Sequence, residues 1–206
     1  MKLYYFKGSC ALAPHIALEW AGADYETEAV KRNATRSPEF LETINPRGKV
    51  PVLELDDGRK LDQVNAILLW IAEAFEDADL GPGESADDRF AMQNLLSHFN
   101  GDVHPAFTPY FLTHRFTTEE GHQPSVKDAA LKELAFQLDG LERHMEGRQW
   151  VLGDRRTILD AYMTVFCSWA RFVPGAFDGR SNLKAYWDRM QEDEGAHAAL
   201  NQQGLI

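Results

Sequence analysis

Residues 6–20 read FKGSCALAPHIALEW, and they place Cys10, one of only two cysteines in the chain, where a short strand gives way to a helix. The aromatic run that leads into this stretch predicts a buried strand followed by a turn. Because Pro14 is tolerated only in or near the first turn of a helix, we expect the helix to begin within residues 10–13. Its apolar face follows a four-residue spacing and consists of Leu12, Ile16 and Trp20.

Two further strands and a short helix are predicted in the next stretch. Residues 25–30 alternate in polarity, which is typical of a strand. Ser37 and Pro38 are the N-cap and the first residue expected of a short helix. Residues 50–55 are strand-like, and Pro51 must be the first strand residue or part of a cis turn, because proline donates no ladder hydrogen bond.

A hairpin and an amphipathic helix complete this N-terminal pattern. Residues 56–58 (DDG) predict a tight turn into a strand at residues 59–61. Asp62 is the expected N-cap of the helix that follows. The apolar stripe of that helix consists of Val64, Ile67, Leu68, Ile71 and Phe75. The predicted order of elements is therefore βαβαββα.

Beyond this pattern the strand signals end and helical signals take over. Residues 87–112 are helical in pattern until Pro105 and Pro109 bend or end the helix. Thr157 and Asp160 form a capping-box pattern that opens a later helix. The residues expected to face inward from the later helices are Leu134, Leu138, Leu141, Met145, Tyr162, Val165, Phe166 and Trp169.

The predicted fold class is α/β plus all-α. A mixed unit is expected at residues 1–78, a Gly- and Pro-containing linker at residues 79–85, and an all-helical unit at residues 86–206. With 206 residues, 44% of them apolar, the chain is long enough to form proper cores. No apolar run is long enough to span a membrane, and the first residues lead directly into strand-like sequence, so we expect a cytoplasmic protein.

Charge and cysteine content exclude several classes of partner. The chain has 21 basic and 32 acidic residues and a formal charge of −11, which opposes nonspecific binding to nucleic acid or to anionic membranes. Cys10 and Cys167 lie far apart and belong to no C-x-x-C pair, so neither a metal site nor a structural disulfide is expected. We expect Cys167 to lie in the core.

The position of Cys10 at the start of a helix suggests a reactive sulfur. The free N–H groups and positive end of a helix favour a thiolate, which attacks an electrophile itself. The same field can instead act on the sulfur of a bound cofactor. From the residues alone, a third interpretation is that Cys10 is only a small apolar residue. Since no second cysteine is adjacent, any redox cycle requires an external thiol.

A cluster of basic residues follows the second predicted strand in spite of the acidic whole. Its members are Lys31, Arg32, Arg36, Arg47 and Lys49. Local charge of this kind favours an anionic small molecule, and the alternative is a solvated surface.

Taken together, these segments resemble a bacterial glutathione transferase, and the beta class most closely. The resemblance covers nearly the whole chain and depends on the order and spacing of several motifs. They are MKLYYFKGSCALAPH (residues 1–15), NPRGKVPVL (residues 45–53), DQVNAILLWIAE (residues 62–73), GDVHPAFTP (residues 101–109) and TILDAY (residues 157–162).

The resemblance implies a thioredoxin-like N-terminal domain, a helical-bundle C-terminal domain, a homodimer, and glutathione as a co-substrate with no metal. It places Cys10 and His104 near the glutathione sulfur as catalytic residues. It also implies glutathione-binding residues at Lys49, Val50, cis-Pro51, Gln63 and Val64, with the backbone of Val50 pairing like an added strand. The electrophile pocket would be lined by Phe107 and Trp169.

The chain departs from the family pattern at Val64, where serine or threonine usually supplies a hydroxyl to the γ-glutamyl carboxylate. Losing such a hydrogen bond weakens binding by roughly tenfold to a hundredfold unless another donor replaces it. The backbone N–H of Val64 and the side chain of Arg36 are candidate replacements. Smaller departures from the class are Ala11, Ser97 and Pro105.

The leading hypothesis is a glutathione S-transferase that conjugates the glutathione thiolate to a small hydrophobic electrophile, a detoxification reaction. One alternative is a Cys10-based thiol transferase or glutathione-dependent reductase. Another is a non-catalytic binding protein of the same fold.

Overall fold

The protein is described by a computed structural model that covers residues 1–153 and 155–206. Its N-terminal part has the predicted order βαβαββα. The elements are β1 (Lys2–Tyr5), α1 (Leu12–Trp20), β2 (Glu26–Ala29), α2 (Pro38–Thr43), β3 (Val52–Glu54), β4 (Lys60–Asp62) and α3 (Val64–Ala74).

The four strands form one mixed sheet in the order β2-β1-β3-β4. β1 is parallel to β2 and antiparallel to β3, and β3 is antiparallel to β4. Leu3 pairs with Leu53, and both are fully buried in the main core. Because successive side chains point to opposite faces of a strand, Tyr4 and Val52 lie on the other face, where they pack with Phe40 of α2.

All regular elements described in the C-terminal part are helices. These are α4 (Ala86–His98), a π-helical turn (Phe99–Val103), α5 (His104–Phe111), α6 (Gln123–His144), α7 (Ile158–Ala170), α8 (Ser181–Glu192) and α9 (Glu194–Gln202). Pro105 lies in the first turn of α5, where its missing N–H costs little, and Pro109 lies inside that helix.

α7 is the central helix of the molecule, since 12 of its residues are buried. Tyr162 and Phe166 are fully buried, as predicted, while Trp169 is only partly buried. α1 packs against both α7 and α9, so one hydrophobic core runs continuously from the sheet into the helical part. The indole Nε1 of Trp169 donates a 2.9 Å hydrogen bond to the carbonyl of Gly8, next to the predicted site.

The predicted helix starts are mostly confirmed. α1 begins at Leu12. Ser37 caps α2 by accepting from Phe40 N–H at 3.2 Å, and Thr157 with Asp160 forms a complete capping box at α7. The Val50–Pro51 peptide is cis, which confirms the second of the two roles predicted for Pro51, that of a residue in a cis turn.

The predicted N-cap of α3 was wrong. Asp62 is the last residue of β4, and its carboxylate accepts a 2.7 Å hydrogen bond from Arg47 instead of capping the helix. The residue before α3 is Gln63, which has a φ of 71° and makes no side-chain cap. Because β4 continues through Asp62, the position before the helix falls on Gln63, one residue later than predicted.

Within the part of the chain that the structure describes, no helix is both long and apolar enough to cross a membrane.

Candidate functional site

Two adjacent cavities lie between the N-terminal part of the chain and helix α5. The first has a volume of about 860 Å³ and the second about 290 Å³. Cys10 and His104 line both of them. The other residues common to both cavities are Phe6, Arg32, Val50, Thr108 and Leu112.

All five residues expected to bind glutathione line the first cavity. They are Lys49, Val50, Pro51, Gln63 and Val64. The side chain of Val64 is only 4% exposed and belongs to the main core, so the side chain that replaces the family's hydroxyl is used for packing. Because α3 has no side-chain cap, its first N–H groups remain available to an anion.

Gln63 combines a place in the cavity wall with an unusual backbone. Its φ of 71° lies in the left-handed region, which is uncommon for a residue other than glycine. Such conformations cluster at ligand-binding positions. This feature was not predicted, because it depends on how β4 and α3 meet.

Cys10 lies in the turn just before α1, and its thiol donates to the carbonyl oxygen of Val50 at 3.8 Å. Burial raises the pKa of the thiol to about 12, and it outweighs the opposing effects of the residue's own backbone N–H and of the Lys49 charge. Of the three interpretations of Cys10, the one in which the start of α1 holds it as an attacking thiolate is therefore the least supported. In the free protein Cys10 is a neutral thiol and a hydrogen-bond donor.

His104 is the first residue of α5, and Nδ1 of its ring lies 2.8 Å from the hydroxyl of Tyr162. Burial, aided by the nearby Lys49 charge, lowers the pKa of His104 to about 4. The imidazole is therefore neutral at pH 7. The imidazole and the Trp169 ring meet in an edge-to-face arrangement, with centroids 4.9 Å apart.

The second cavity contains both residues predicted for the electrophile pocket, Phe107 and Trp169. Their ring centroids lie 5.3 Å apart in an edge-to-face arrangement. Phe111 and Phe172 extend the aromatic wall. This cavity therefore suits an apolar group placed next to Cys10 and His104.

The basic cluster divides between the site and the surface. Arg32, Arg36 and Lys49 line the first cavity, as does Arg115 from the segment after α5. Lys31 is not among the lining residues. Within residues 1–153 and 155–206, no aspartate or glutamate lines either cavity. The site is thus locally positive in an acidic protein.

Sequence reasoning missed several residues of the site, although a signal for some was present. Asn100, His104, Thr108 and Leu112 follow each other at four-residue intervals and all line the first cavity. A residue known to face the site from a helix implies its i±4 neighbours. No comparable local signal marks Phe6, whose ring lies 4.9 Å from the Arg32 guanidinium.

Comparisons with known proteins agree with this geometry. Residues 8–74 match the glutathione S-transferase N-terminal domain, and residues 102–194 match the glutathione S-transferase C-terminal domain. The chain is 36% identical over 206 residues to glutathione S-transferase GST-4.5 of Xanthomonas campestris pv. campestris and 31% identical over 208 residues to glutathione S-transferase GstA of Escherichia coli O157:H7. Both matches cover 100% of this chain and of the relative.

Solved structures give the same picture. A sphingomonad glutathione S-transferase in complex with glutathione matches with a TM-score of 0.88 and 33% identity, over 100% of both chains. The beta class glutathione S-transferase of Sphingomonas chungbukensis has the same TM-score, identity and coverage.

Proposed function

Because this chain belongs to the glutathione S-transferase family and is a glutathione-conjugating enzyme, we propose that the boundary between its two cavities is where the reaction occurs. Glutathione occupies the first cavity and a small hydrophobic electrophile occupies the second. The observation that carries this proposal is that Cys10 and His104 line both cavities.

The residues of the first cavity suit the parts of glutathione. The backbone of Val50, beside cis-Pro51, pairs with the cysteinyl part. Gln63 and the uncapped N–H groups at the start of α3 receive the γ-glutamyl end. Arg36 and Lys49 offer positive charge to the carboxylates and to the thiolate.

At the boundary, the neutral thiol of Cys10 donates a hydrogen bond to the glutathione sulfur. A donor lowers the free energy of the thiolate relative to the thiol, which raises the fraction of the nucleophile. The neutral His104 accepts the thiol proton as the sulfur attacks. The aromatic wall formed with Phe107 and Trp169 excludes water around the reacting carbon.

The covalent alternative has less support. A mixed disulfide through Cys10 requires its thiolate, and burial raises the pKa of this thiol to about 12. The similarity to glutathione S-transferases over the whole chain likewise favours neither a reductase nor a non-catalytic protein.

Titration calorimetry with glutathione and conjugation of 1-chloro-2,4-dinitrobenzene test the proposal. We expect binding in the micromolar to millimolar range and a glutathione-dependent rate. No heat of binding at millimolar glutathione, together with no rate above the uncatalysed one, would remove the proposal.

We also propose a homodimer, which the family suggests, with α4 as a candidate contact surface. Phe90 on this helix is 70% exposed. Sedimentation velocity of the purified chain should give a dimer, and Phe90→Glu should shift the population towards monomer. A wild-type chain that sediments as a monomer at micromolar concentration contradicts this assembly.

The remaining proposals concern organisation and context. We propose the domain division at residues 1–78 and 86–206 with a linker at residues 79–85, a cytoplasmic location in keeping with two unpaired cysteines, and a role in detoxification. Limited proteolysis and cell fractionation test the first two, and survival of a deletion strain under electrophile stress tests the third.

A further inference from the structure

A hydrogen-bonded chain of three polar side chains begins at Nδ1 of His104. His104 Nδ1 lies 2.8 Å from the hydroxyl oxygen of Tyr162, and that oxygen lies 3.3 Å from Oδ1 of Asn100. Tyr162 is a fully buried residue of α7, and Asn100 belongs to the π-helical turn before α5. π-Helical turns of this kind occur frequently at functional sites.

With the amide of Asn100 oriented so that Oδ1 faces Tyr162, the two contacts are satisfied together in one arrangement of protons. This Oδ1 only accepts, so the single hydroxyl proton of Tyr162 is donated to it. The contact with His104 must then be donated by Nδ1–H. If Tyr162 donated to His104 instead, two oxygens would face each other at 3.3 Å with no proton between them.

The protonation of the two partners agrees with this arrangement. Burial raises the pKa of Tyr162 above its ordinary value, so the phenol keeps its proton. Burial lowers the pKa of His104, so the imidazole carries one N–H at neutral pH. With that proton on Nδ1, Nε2 keeps its lone pair, and Nε2 has no hydrogen-bond partner among the described residues.

We propose that Tyr162 is a positioning residue which, with Asn100 as its acceptor, holds His104 in the Nδ1–H tautomer and leaves Nε2 to accept the thiol proton of glutathione. This inference rests on the proposed function for its reaction step. The assignment of the tautomer rests on the geometry of the three side chains and does not depend on the reaction.

The step balances for an aryl chloride. The thiol proton of glutathione passes to Nε2, and the electron pair left on sulfur forms the new carbon–sulfur bond. The carbon–chlorine bond breaks, and its pair leaves with chloride. The imidazolium then releases the proton to water, because the pKa of His104 is low.

Nitrogen NMR tests the tautomer directly and without substrate. In long-range proton–nitrogen spectra of the wild-type protein, His104 should show a protonated Nδ1 and an unprotonated Nε2. The signals are assigned by their loss in His104→Gln. A wild-type spectrum with the proton on Nε2 overturns the inference.

Two variants should change this tautomer in different ways. In Asn100→Leu the Tyr162 hydroxyl loses its acceptor and donates to Nδ1, so the proton of His104 should move to Nε2. In Tyr162→Phe neither tautomer is held, and both should be populated. Since Asn100 is exposed, its replacement threatens the fold less than a change at the buried tyrosine. An unchanged tautomer in Asn100→Leu contradicts the proposal.

Kinetics provide the functional readout. At saturating glutathione, kcat for 1-chloro-2,4-dinitrobenzene should fall by roughly tenfold or more in Asn100→Leu and in Tyr162→Phe. The KM for glutathione should change much less than kcat.

The matched control is Tyr186→Phe, which removes another fully buried hydroxyl, one bonded 2.9 Å from the Asp160 carbonyl and outside both cavities. Equal losses of kcat in Tyr162→Phe and Tyr186→Phe would mean a structural role only. A wild-type protein that shows the expected tautomer but no conjugation contradicts the proposed function and leaves the assignment of protons intact.

Discussion

At the residue scale, the thiol of Cys10 shows how burial competes with a helix terminus. The thiol donates to the Val50 carbonyl oxygen at 3.8 Å. The N–H groups near α1 and the charge of Lys49 stabilise a thiolate, but the loss of water around the sulfur costs more. Cys10 is therefore best suited to donate a hydrogen bond to another sulfur.

This role predicts the outcome of two substitutions. Cys10→Ser keeps a donor and should retain kcat/KM for conjugation to within about tenfold, whereas Cys10→Ala loses the donor and should fall further. Mass spectrometry of wild type incubated with oxidised glutathione should show little adduct on Cys10. An abundant adduct that disappears in Cys10→Ser supports the covalent alternative instead.

A second residue-scale prediction concerns His104 and the pH dependence of stability. The folded-state pKa is lowered from 6.5 to about 4, so between these values the unfolded chain binds more protons than the folded one. Stability should therefore fall as pH drops from 6.5 to 4, by about 3 kcal/mol from this residue.

Urea denaturation across this pH range measures the effect. The difference in unfolding free energy between wild type and His104→Gln should change with pH, with the variant losing less stability on acidification. His122→Gln, which changes an exposed histidine, is the control and should follow wild type. Parallel curves for wild type and His104→Gln would contradict the lowered pKa.

At the element scale, the start of α7 is fixed by the fully buried carboxylate of Asp160. It accepts hydrogen bonds from Thr157 N–H at 2.8 Å and from Val151 N–H at 2.9 Å, and the Tyr186 hydroxyl lies 3.3 Å away. One side chain thus joins the capping box, the preceding loop and α8. Burial nevertheless raises the pKa of Asp160 to about 6.

Asp160→Ala should destabilise the protein by about 3 kcal/mol or more, because it leaves buried N–H groups without acceptors. Asp160→Asn keeps one acceptor and should cost less. The capping box at the start of α4 offers a matched comparison, since Ser85 and Asp88 form the same pattern at an exposed site.

Asp88→Ala should cost about 1 kcal/mol or less, because water replaces the lost acceptor. Chemical denaturation of the three variants gives the comparison. Equal losses at Asp160 and Asp88 would mean that burial adds nothing to the capping box.

At the scale of the whole molecule, a chain with a formal charge of −11 surrounds a cavity lined by four cationic side chains: Arg32, Arg36, Lys49 and Arg115. The general field repels anions, and the local field attracts them. Glutathione, which carries two carboxylates, is therefore drawn to one place on the surface.

Since these cations are exposed, salt should screen their effect. The KM for glutathione should rise with ionic strength, and Arg36→Gln should raise it about threefold at low salt and less at high salt. Arg59→Gln, which changes an exposed arginine of the β3–β4 turn outside both cavities, should leave the salt dependence as in wild type. A KM that is insensitive to salt rules out this contribution.

The sequence by itself determined the order βαβαββα, the helix starts at Ser37 and Thr157, and the candidates Cys10, His104, Gln63 and Trp169. These features follow from periodicity, capping and turn chemistry, which act over a few neighbouring residues. The order and spacing of the motifs then indicated the family.

Only the tertiary structure decided the neutral state of the Cys10 thiol, the left-handed backbone of Gln63 and the link between His104 and Tyr162, which are 58 residues apart. Desolvation and the meeting of distant side chains depend on which elements pack together, and no local pattern encodes them.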